Sequence, residues 1–568
     1  MSSESDAPTR GADAVCAALV DAGIGTVIGL PGTQTLPIDR AIAQRPALSY
    51  VQAHHETAIP HIAWGHYEAG GSIAATLTVP GPGDTNAMHG LKNALNDGVP
   101  IIHIAADVDP GDRGRGPIHE IEADTFDNVV KTNLVVEQPT ALTEAVAEGL
   151  AIARTPPTGP VRLGLPSGFL EAPLSAPTTT VEPGRTTVDN DASYDQAIET
   201  LADATRPVLW VGGGARRSSG GPAAVEQLVD QLSAPVVATL KGKGAFPEDR
   251  PEFLGVSGSH LPSGSRRVLE RADTIVAVGT DFDGLSTANW SLPAGETLVQ
   301  IDIDPSMIGR SYDPDIALVA DAATACERLA TTLNERVTVP TWNGPDLATT
   351  ARGEFLDHLR AEELLTTDPP LPTPATLQVL RESLPRETIV TTDVGGFRLW
   401  AKQTFEAYAP EQYITAGSWA GMGIGIPGAV GAKLARPEQP IVALTGDGGL
   451  LMCLQTLHTA VDAECPITVV VINDGDYGGI SKSPKLDALG DGRRFAWESP
   501  DFAAIAEAFG CHGDRVETAD RFRDAIEDAL ERSAVPTLLD VVVDPATPTV
   551  QDAAEYESTV DIDEYSND

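Results

Sequence analysis

Two turns in the last third of the chain carry residue types able to hold a metal ion against a phosphate. Gly446-Asp447-Gly448-Gly449 closes one apolar run, residues 441–444, and Asn473-Asp474-Gly475 closes another, residues 467–472. Asp447 and Asp474 offer the hard oxygen ligands that suit one divalent cation. The glycines let backbone N–H groups approach a diphosphate at a helix start. A single Asp-Gly turn after a strand is commonplace. Two of them closing consecutive strands make a metal–phosphate candidate.

Such turns need a frame. Residues 450–461, between them, show apolar positions at helical spacing, so the whole stretch reads strand, helix, strand. A strand pair joined by a crossover helix is parallel, which sets both turns at the C-terminal edge where open α/β sheets bind ligands. The same alternation recurs in TVIGLPGTQTLPIDRAI, in SYVQAHHETAIPHIAWGHYEA and in AATLTVPGPGDTNAMHGLKNAL. The expected fold class is therefore α/β, with three successive doubly wound parallel-sheet domains at residues 1–172, 191–339 and 375–545. A Pro- and Thr-rich linker, 173–190, and a polar linker, 340–374, separate them, and an acidic tail, 546–568, is expected to be mobile. The middle domain offers four strand candidates, at 208–211, 235–239, 274–278 and 298–303.

Composition bounds the rest. The 568 residues are too many for one core, and 42% apolar content is globular. Acids outnumber bases 81 to 38, a formal charge of −43, and arginine far exceeds lysine. Spread over periodic segments, this charge reads as a hydrated surface suited to concentrated salt, a halophilic trait. It argues against nucleic acid or an anionic membrane as partners. The five cysteines form no CxxC and read as reduced thiols of a cytoplasmic protein. Neither a signal peptide nor a membrane-length apolar run is visible.

Other residues stand out singly, each with an ordinary structural explanation. Glu56, in His54-His55-Glu56, follows a strand and opens a helix, where the helix dipole alone favours a carboxylate. Gly212-Gly213-Gly214 follows a strand, but without a full GxGxxG it is weak evidence for a dinucleotide. Pro80-Gly81-Pro82-Gly83, with Thr85-Asn86, reads as a tight loop feeding a helix. His119-Glu120 lies in an irregular segment that reads as exposed. Met422, in Ala420-Gly421-Met422-Gly423, reads as a core filler.

Taken together and in order, these motifs resemble those of thiamine-diphosphate-dependent enzymes, and within them the acetolactate synthase and 2-oxoacid decarboxylase group. The resemblance spans nearly the whole chain. It rests on Leu30-Pro31-Gly32, His55-Glu56, Pro80 to Asn86, Gly242-Lys243-Gly244, Ile301 to Pro305, Asp393-Val394-Gly395, Gly421-Met422-Gly423 and the two acidic turns. It implies a pyrimidine-binding domain, a central domain and a diphosphate-binding domain in that order, with thiamine diphosphate and Mg²⁺ as cofactors. Similar proteins build the active site between subunits, so Glu56 of one chain is expected to face Asp447 of another in a homodimer or homotetramer. A regulatory subunit can accompany them.

The resemblance also distributes roles. Glu56 takes the place of the carboxyl held against pyrimidine N1′, which should be desolvated to share a proton there. Ala58, Ile59, Ile62, Ala63 and Trp64 would supply the apolar surroundings. Met422 matches the residue wedged between the cofactor's rings, with backbone groups of Ala420 and Met422 gripping the aminopyrimidine. Asp447, Asp474 and the carbonyl of Asp476 match the Mg²⁺ ligands, and Gly395, Gly396, Gly446, Gly448, Gly449 and Tyr477 the other cofactor-binding positions. His119 and Glu120 match a catalytic position beside the reacting centre, where many synthases carry Gln-Glu. Thr33 and Ile480 fall in the substrate pocket, and Lys131 near a lysine also seen in synthases.

Several departures mark this chain. Many relatives have Asn where Asp474 stands, and Asp adds a negative charge beside the diphosphate. Synthases that bind FAD carry Arg-Phe-Asp-Asp-Arg, whereas Asp281-Phe282-Asp283-Gly284-Leu285 has lost both arginines. Arginine pairs with phosphate bidentately, so its loss argues against FAD. Thr33 replaces a glycine typical of synthases and is nearer the serine of benzoylformate decarboxylases. The stretch after Tyr477 lacks the tryptophan-bearing pattern that selects a second substrate, and the usual lid pattern is missing after Pro545. The implied reaction is decarboxylation of a 2-oxoacid such as pyruvate with carboligation to a second, as in branched-chain amino-acid biosynthesis. The alternatives are a non-ligating, benzoylformate decarboxylase-like enzyme and a non-catalytic cofactor-binding paralogue, the latter opposed by intact Glu56 and Asp447.

Overall fold

Three six-stranded parallel sheets follow one another along the chain in the computed structural model, which describes residues 9–174, 191–334, 342–483, 486, 495–532 and 534–565. The first sheet holds β1 (Thr26–Gly29), β2 (Ser49–Gln52), β3 (Ala75–Thr78), β4 (Ile102–Ala105), β5 (Thr132–Val135) and β6 (Val161–Gly164), in the order β2-β1-β3-β4-β6-β5. The second holds β7 (Pro207–Val211), β8 (Val236–Ala238), β9 (Phe253–Val256), β10 (Thr274–Val278), β11 (Thr297–Asp302) and β12 (Ile316–Val319), in the order β12-β11-β10-β7-β8-β9. The third holds β13 (Ile389–Thr392), β14 (Tyr413–Thr415), β15 (Ile441–Gly446), β16 (Thr468–Asn473), β17 (His512–Val516) and β18 (Thr537–Val542), in the order β14-β13-β15-β16-β18-β17.

The strands are apolar on both faces because helices cover both. Val27 enters one core and Ile28 another; Val442 and Leu444 pack to one side of the third sheet and Ala443 to the other. That is the near-continuous apolar pattern of a buried parallel sheet. Strand order reverses direction between β1 and β3, and again between β13 and β15. At these switch points neighbouring loops diverge and leave a crevice.

The first and third domains share one core, in which Ile59, Ile62 and Trp64 meet Ile426, Ala429 and Val430. Helix Ala58–Gly70 lies directly on helix Gly425–Ala435. A β-carbon on Gly65 would stand 2.1 Å from the Gly428 carbonyl oxygen, and one on Gly431 2.0 Å from that of Ile62. The two backbones therefore touch, and only glycine permits it.

A buried ionic cluster ties in the second domain. The Glu68 carboxylate meets Arg216, Arg217 (3.6 Å) and Lys241 (3.4 Å). Asp97 pairs with Lys241 at 3.0 Å and accepts from Trp64 Nε1 and the Gly417 amide. Residues of all three domains thus meet at one charged knot.

Several expectations are corrected. Residues 450–461 are not one helix: Asp447–Cys453 and Thr456–Asp462 form two, separated at Leu454 and Gln455. The middle sheet has six strands rather than four, β9 and β12 having gone unread. The polar stretch 340–374 contains the 18-residue helix Gly344–Ala361, which buries Leu347, Ala351, Phe355 and Leu359. The described part of the acidic tail packs on the body of the protein. Val560 and Ile562 enter the core of the second domain, Ser558 and Thr559 donate to Glu354, and Asn343 N donates to the Tyr565 carbonyl. Most of the Pro- and Thr-rich linker, 175–190, lies outside the described residues. All five cysteines are buried and in no disulfide. No described helix is long and apolar enough to cross a membrane.

Candidate active site

The two acidic turns emerge side by side. β15 and β16 are adjacent and parallel, with Gly446 in register with Ile472, so Asp447 and Asp474 leave the same edge. The turns are also bonded to each other, since Gly475 N donates to Asp447 Oδ2 at 3.0 Å while Gly448 N donates to Oδ1 at 2.9 Å. Asp474 Oδ1 accepts from Asp476 N at 3.2 Å, the Asp476 carboxylate accepts from Ser481 at 2.6 Å, and the Asp476 backbone bridges to Ala496.

Burial first, and the Asp474 carboxylate second, push the Asp447 carboxyl up to about 7. Burial likewise raises Asp474. Two carboxyls whose charge burial disfavours, one further opposed by its neighbour, form a donor set that a divalent cation neutralises. The neighbouring strand β13 contributes Gly395 and Gly396, the latter opening helix Gly396–Thr404. A β-carbon on Gly396 would meet only Gly479 N, at 3.8 Å, and one on Gly479 only Gly396 N. No side chain crowds the space between these two backbones, which suits close approach of a diphosphate. Elsewhere the glycines are packed: Gly448 abuts the Tyr477 ring and Gly449 the Asp393 carboxylate. The residues present fit the expected Mg²⁺ and diphosphate.

Asp393 organises the adjoining loop. Wholly buried, it accepts from the amides of Val394 (2.7 Å) and Gly423 (2.9 Å) and from Thr445 Oγ1 (3.1 Å), and burial raises its carboxyl. Gly423 and Ala420 both hold positive φ, 80° and 48°, which turns the loop sharply around Met422. Gly421 is pressed against His89 of the first domain, and Trp419 Nε1 donates to His89 Nδ1 at 3.1 Å. Met422, read from the sequence as a core filler or a wedge, is half-buried and lines a cavity of about 390 Å³ together with Thr57, His89, Met452 and Gln455.

The first domain presents a second group at its own switch point. Glu56 follows β2, and Gly83 and Asn86 follow β3. Asn86 Nδ2 donates to Glu56 Oε2 at 3.0 Å, and a β-carbon on Gly83 would stand 3.3 Å from Glu56 Oε1. Asp84, beneath them, is fully buried and pairs with His103 Nε2 (2.8 Å) and Arg162 Nη2 (2.7 Å). Burial would raise the Asp84 carboxyl, but those two partners outweigh it and hold it below the usual range. Glu56 itself is half-buried rather than desolvated, because Ala58 to Trp64 turn into the shared core and away from it.

His119, expected to be exposed, is half-buried with φ 66°; the Gln34 amide donates to its Nδ1 at 3.3 Å, and Gly81 lies against its carbonyl. Thr33, exposed, neighbours Gln34, so Thr33, Glu56 and His119 share one rim of the first sheet. Glu120 points the other way, its carboxylate receiving the amides of Gly114 and Gly116. Lys131 is remote from that rim: its ammonium donates to the Ile152 and Thr155 carbonyls at the end of helix Leu142–Arg154. Tyr477 and Ile480 lie on the rim of the third sheet, both exposed, with Tyr477 packed edge-on against Trp497. Much of the segment beyond, 484–485 and 487–494, lies outside the described residues. Among the described residues no hydrogen bond joins Glu56 to Asp447 or Asp474.

The glycines of the middle domain serve packing. β-Carbons on Gly212 and Gly214 would strike Gly279 at 2.2 and 2.8 Å, so these glycines let two strand ends approach. The nearby cleft of about 610 Å³ is lined by Asp281, Asp283, Asp302 and Asp304. Of its cations, Arg310 pairs with Asp281, Arg217 and Lys241 with Glu68, and Lys131 donates to the Ile152 and Thr155 carbonyls.

Sequence reasoning named Asp393 and Asn86 only as letters of motifs, and missed Gln34, His89 and Trp497. Comparison with known proteins agrees with this layout. Residues 9–127 match the thiamine pyrophosphate enzyme N-terminal TPP binding domain, 194–329 the central domain and 393–541 the C-terminal TPP binding domain. The chain is 30% identical to a probable acetolactate synthase large subunit of Methanocaldococcus jannaschii over 94% of its own length and 92% of that protein. It is 30% identical to the acetolactate synthase isozyme 3 large subunit of Escherichia coli, covering 94% and 95%. It is 28% identical to the mitochondrial acetolactate synthase catalytic subunit of Saccharomyces cerevisiae, covering 93% and 80%.

Proposed function

As a member of the thiamine pyrophosphate enzyme family, like acetolactate synthase along nearly its whole length, this chain is a thiamine-diphosphate-dependent enzyme, and we propose that it decarboxylates a 2-oxoacid and joins the fragment to a second. Pyruvate is the favoured substrate and the product acetolactate, a step of branched-chain amino-acid biosynthesis. The observation that carries this reading is the pair Asp447 and Asp474, both raised by burial and leaving the same sheet edge, in a chain so similar to acetolactate synthases.

Bound thiamine diphosphate supplies a carbon nucleophile and an electron sink for decarboxylation. Asp447, Asp474 and the Asp476 carbonyl hold Mg²⁺, and the amides of Gly396 and Gly479 bind diphosphate oxygens. The Met422 side chain and the backbone at Ala420 orient the pyrimidine. Glu56 holds the proton at pyrimidine N1′, and Asn86 fixes which carboxylate oxygen faces it. His119 and Thr33 border the reacting carbon, with Ile480 opposite. FAD takes no part.

Two half-sites call for two chains. The first-domain rim exposes Leu36 (57%) and Ile118 (72%), and the third-domain rim Met452 (49%) and Ile480 (59%). Apolar side chains ringing each half-site support a homodimer, or a tetramer built from it, in which Glu56 of one chain meets Asp447 of the other. Several relatives are named large subunits, which supports a smaller regulatory partner. Five buried thiols outside any disulfide support a cytoplasmic setting, and the −43 charge a halophilic one.

The test is the purified protein in concentrated KCl with thiamine diphosphate, Mg²⁺ and pyruvate. Acetolactate formation supports the proposal. Release of aldehyde alone replaces it with a simple decarboxylase, and inertness across a panel of 2-oxoacids refutes catalysis of this kind.

A further inference from the structure

Two residues before Glu56, the ring of His54 leaves the first domain and meets helix Thr456–Asp462 of the third. His458 and Asp462 are four residues apart on that helix and so share a face. His54 Nε2 lies 3.4 Å from Asp462 Oδ2, and His458 Nε2 lies 3.8 Å from the same oxygen. One ligand atom from each residue falls within 4.8 Å of the others. Two nitrogens at about 2.0–2.1 Å and a carboxylate oxygen at about 2.0–2.2 Å from a tetrahedral ion are spaced ~3.3 Å apart. Against that spacing the two edges to Asp462 need to close by about 0.1 and 0.5 Å, and the nitrogen–nitrogen edge lies within 4.8 Å.

The arrangement carries its own support. His54 Nδ1 shares a hydrogen bond with Thr459 Oγ1 at 3.1 Å, which fixes the ring and turns Nε2 toward Asp462. An outer-ring partner of this kind is what metal-bound histidines characteristically have. The His54 and His458 rings lie 4.6 Å apart at 48°, converging rather than stacked flat. Side-chain exposures of 26%, 45% and 44% leave a path for an ion and room for water as fourth ligand.

We propose that His54, His458 and Asp462 form a second metal site, for a borderline-soft divalent cation of the zinc type. Two imidazoles and one carboxylate select such an ion over Mg²⁺, which prefers oxygen ligands alone. The site is separate from the acidic turns and bridges two domains of one chain. An ion there pins the turn that carries Glu56 to the helix that follows the Asp447 helix.

The test uses the full-length protein stripped with chelator, with saturating Mg²⁺ and thiamine diphosphate present, titrated with Co²⁺ and followed by visible absorption. One equivalent is expected to bind with the intense bands of a tetrahedral site, and Zn²⁺ to displace it. His458→Gln and Asp462→Asn should each lose that equivalent. Thr459→Ala should keep the spectrum but weaken binding about 10–100-fold. In the metal-free state His458→Gln should melt with the wild type, while Zn²⁺ should raise the melting temperature of the wild type only. Equal Co²⁺ uptake and equal spectra in wild type and His458→Gln would overturn the proposal. So would a Zn²⁺ shift that survives both substitutions.

Discussion

The side-chain amide of Asn86 donates to the Glu56 carboxylate across 3.0 Å, joining the turn after β2 to the helix after β3, Pro82–Asn96. One carboxylate oxygen is thereby committed, and the other lies beside Gly83. Glu56→Gln is expected to bind thiamine diphosphate within a few-fold of wild type but to lose turnover by about 10²–10⁴-fold. Asn86→Ala should lower kcat about 10-fold with KM little changed, since only the aim of Glu56 is lost. Steady-state kinetics and a cofactor titration measure both. Undiminished turnover in Glu56→Gln removes that residue from the mechanism.

The carboxyl of Asp447 sits at about 7, and a cation binds only its ionised form. The apparent Mg²⁺ affinity should therefore fall by up to about tenfold per pH unit below neutrality and level off above it. The sign for the metal-free fold is opposite. The folded value lies above the unfolded one, so the folded state binds the proton more tightly and gains stability as pH falls from 7 toward about 4. Calorimetric Mg²⁺ titration near pH 6.5, in buffers of different ionisation enthalpy, reports the proton released. Absence of any release would contradict the assignment.

Asp84 behaves in the reverse sense. Burial opposes its charge, but His103 and Arg162 more than offset this, and the folded carboxyl titrates below its unfolded value. The contribution is thus present above about pH 4 and is lost as pH falls through the lower folded value. Asp84→Asn leaves Arg162, 1% exposed, with only the longer contact to Asp107 at 4.0 Å and should cost about 3–5 kcal/mol. Urea unfolding at pH 7 measures it, and a loss under about 1 kcal/mol would count against the network.

A β-carbon on Gly421 would fall 1.9 Å from His89 Cε1. Gly421→Ala should therefore displace the Met422 loop and weaken cofactor binding at least ~10-fold, a contact-sized energy of about 1.4 kcal/mol. His89→Ala in the same chain removes the obstacle, so the double variant should regain part of that loss. Failure of the second substitution to rescue would place the defect elsewhere.

What could be read from the sequence was local. A strand ending in Gly446-Asp447 and another ending in Asn473-Asp474 announce themselves within a dozen residues each, and their pairing followed from the crossover rule. β12 did not, being four residues with Ala317 exposed, and β9 is as short and contains Gly255 at φ 137°. The helix break at Leu454 leaves apolar spacing intact, so periodicity passes over it. The tail reads as mobile because its acids are plain while its anchors, Val560 and Ile562, are two residues docking on a distant domain. The site followed the same division. Asp447, Asp474 and Glu56 were legible as motif letters. The grip of Asp393 on Gly423, and of Gln34 on His119, joins residues far apart in the chain and belongs to tertiary structure alone.

The glycine contacts at Gly65 and Gly431 bring helices Ala58–Gly70 and Gly425–Ala435 backbone to backbone at two points within their shared side-chain core. In the proposed dimer one chain lends its Glu56 to one reaction centre and its Met422 to the other, and both residues stand at the heads of these helices. Backbone contacts of this kind do not yield by rotamer change, so in that dimer the helices headed by Glu56 and Met422 would move as one body.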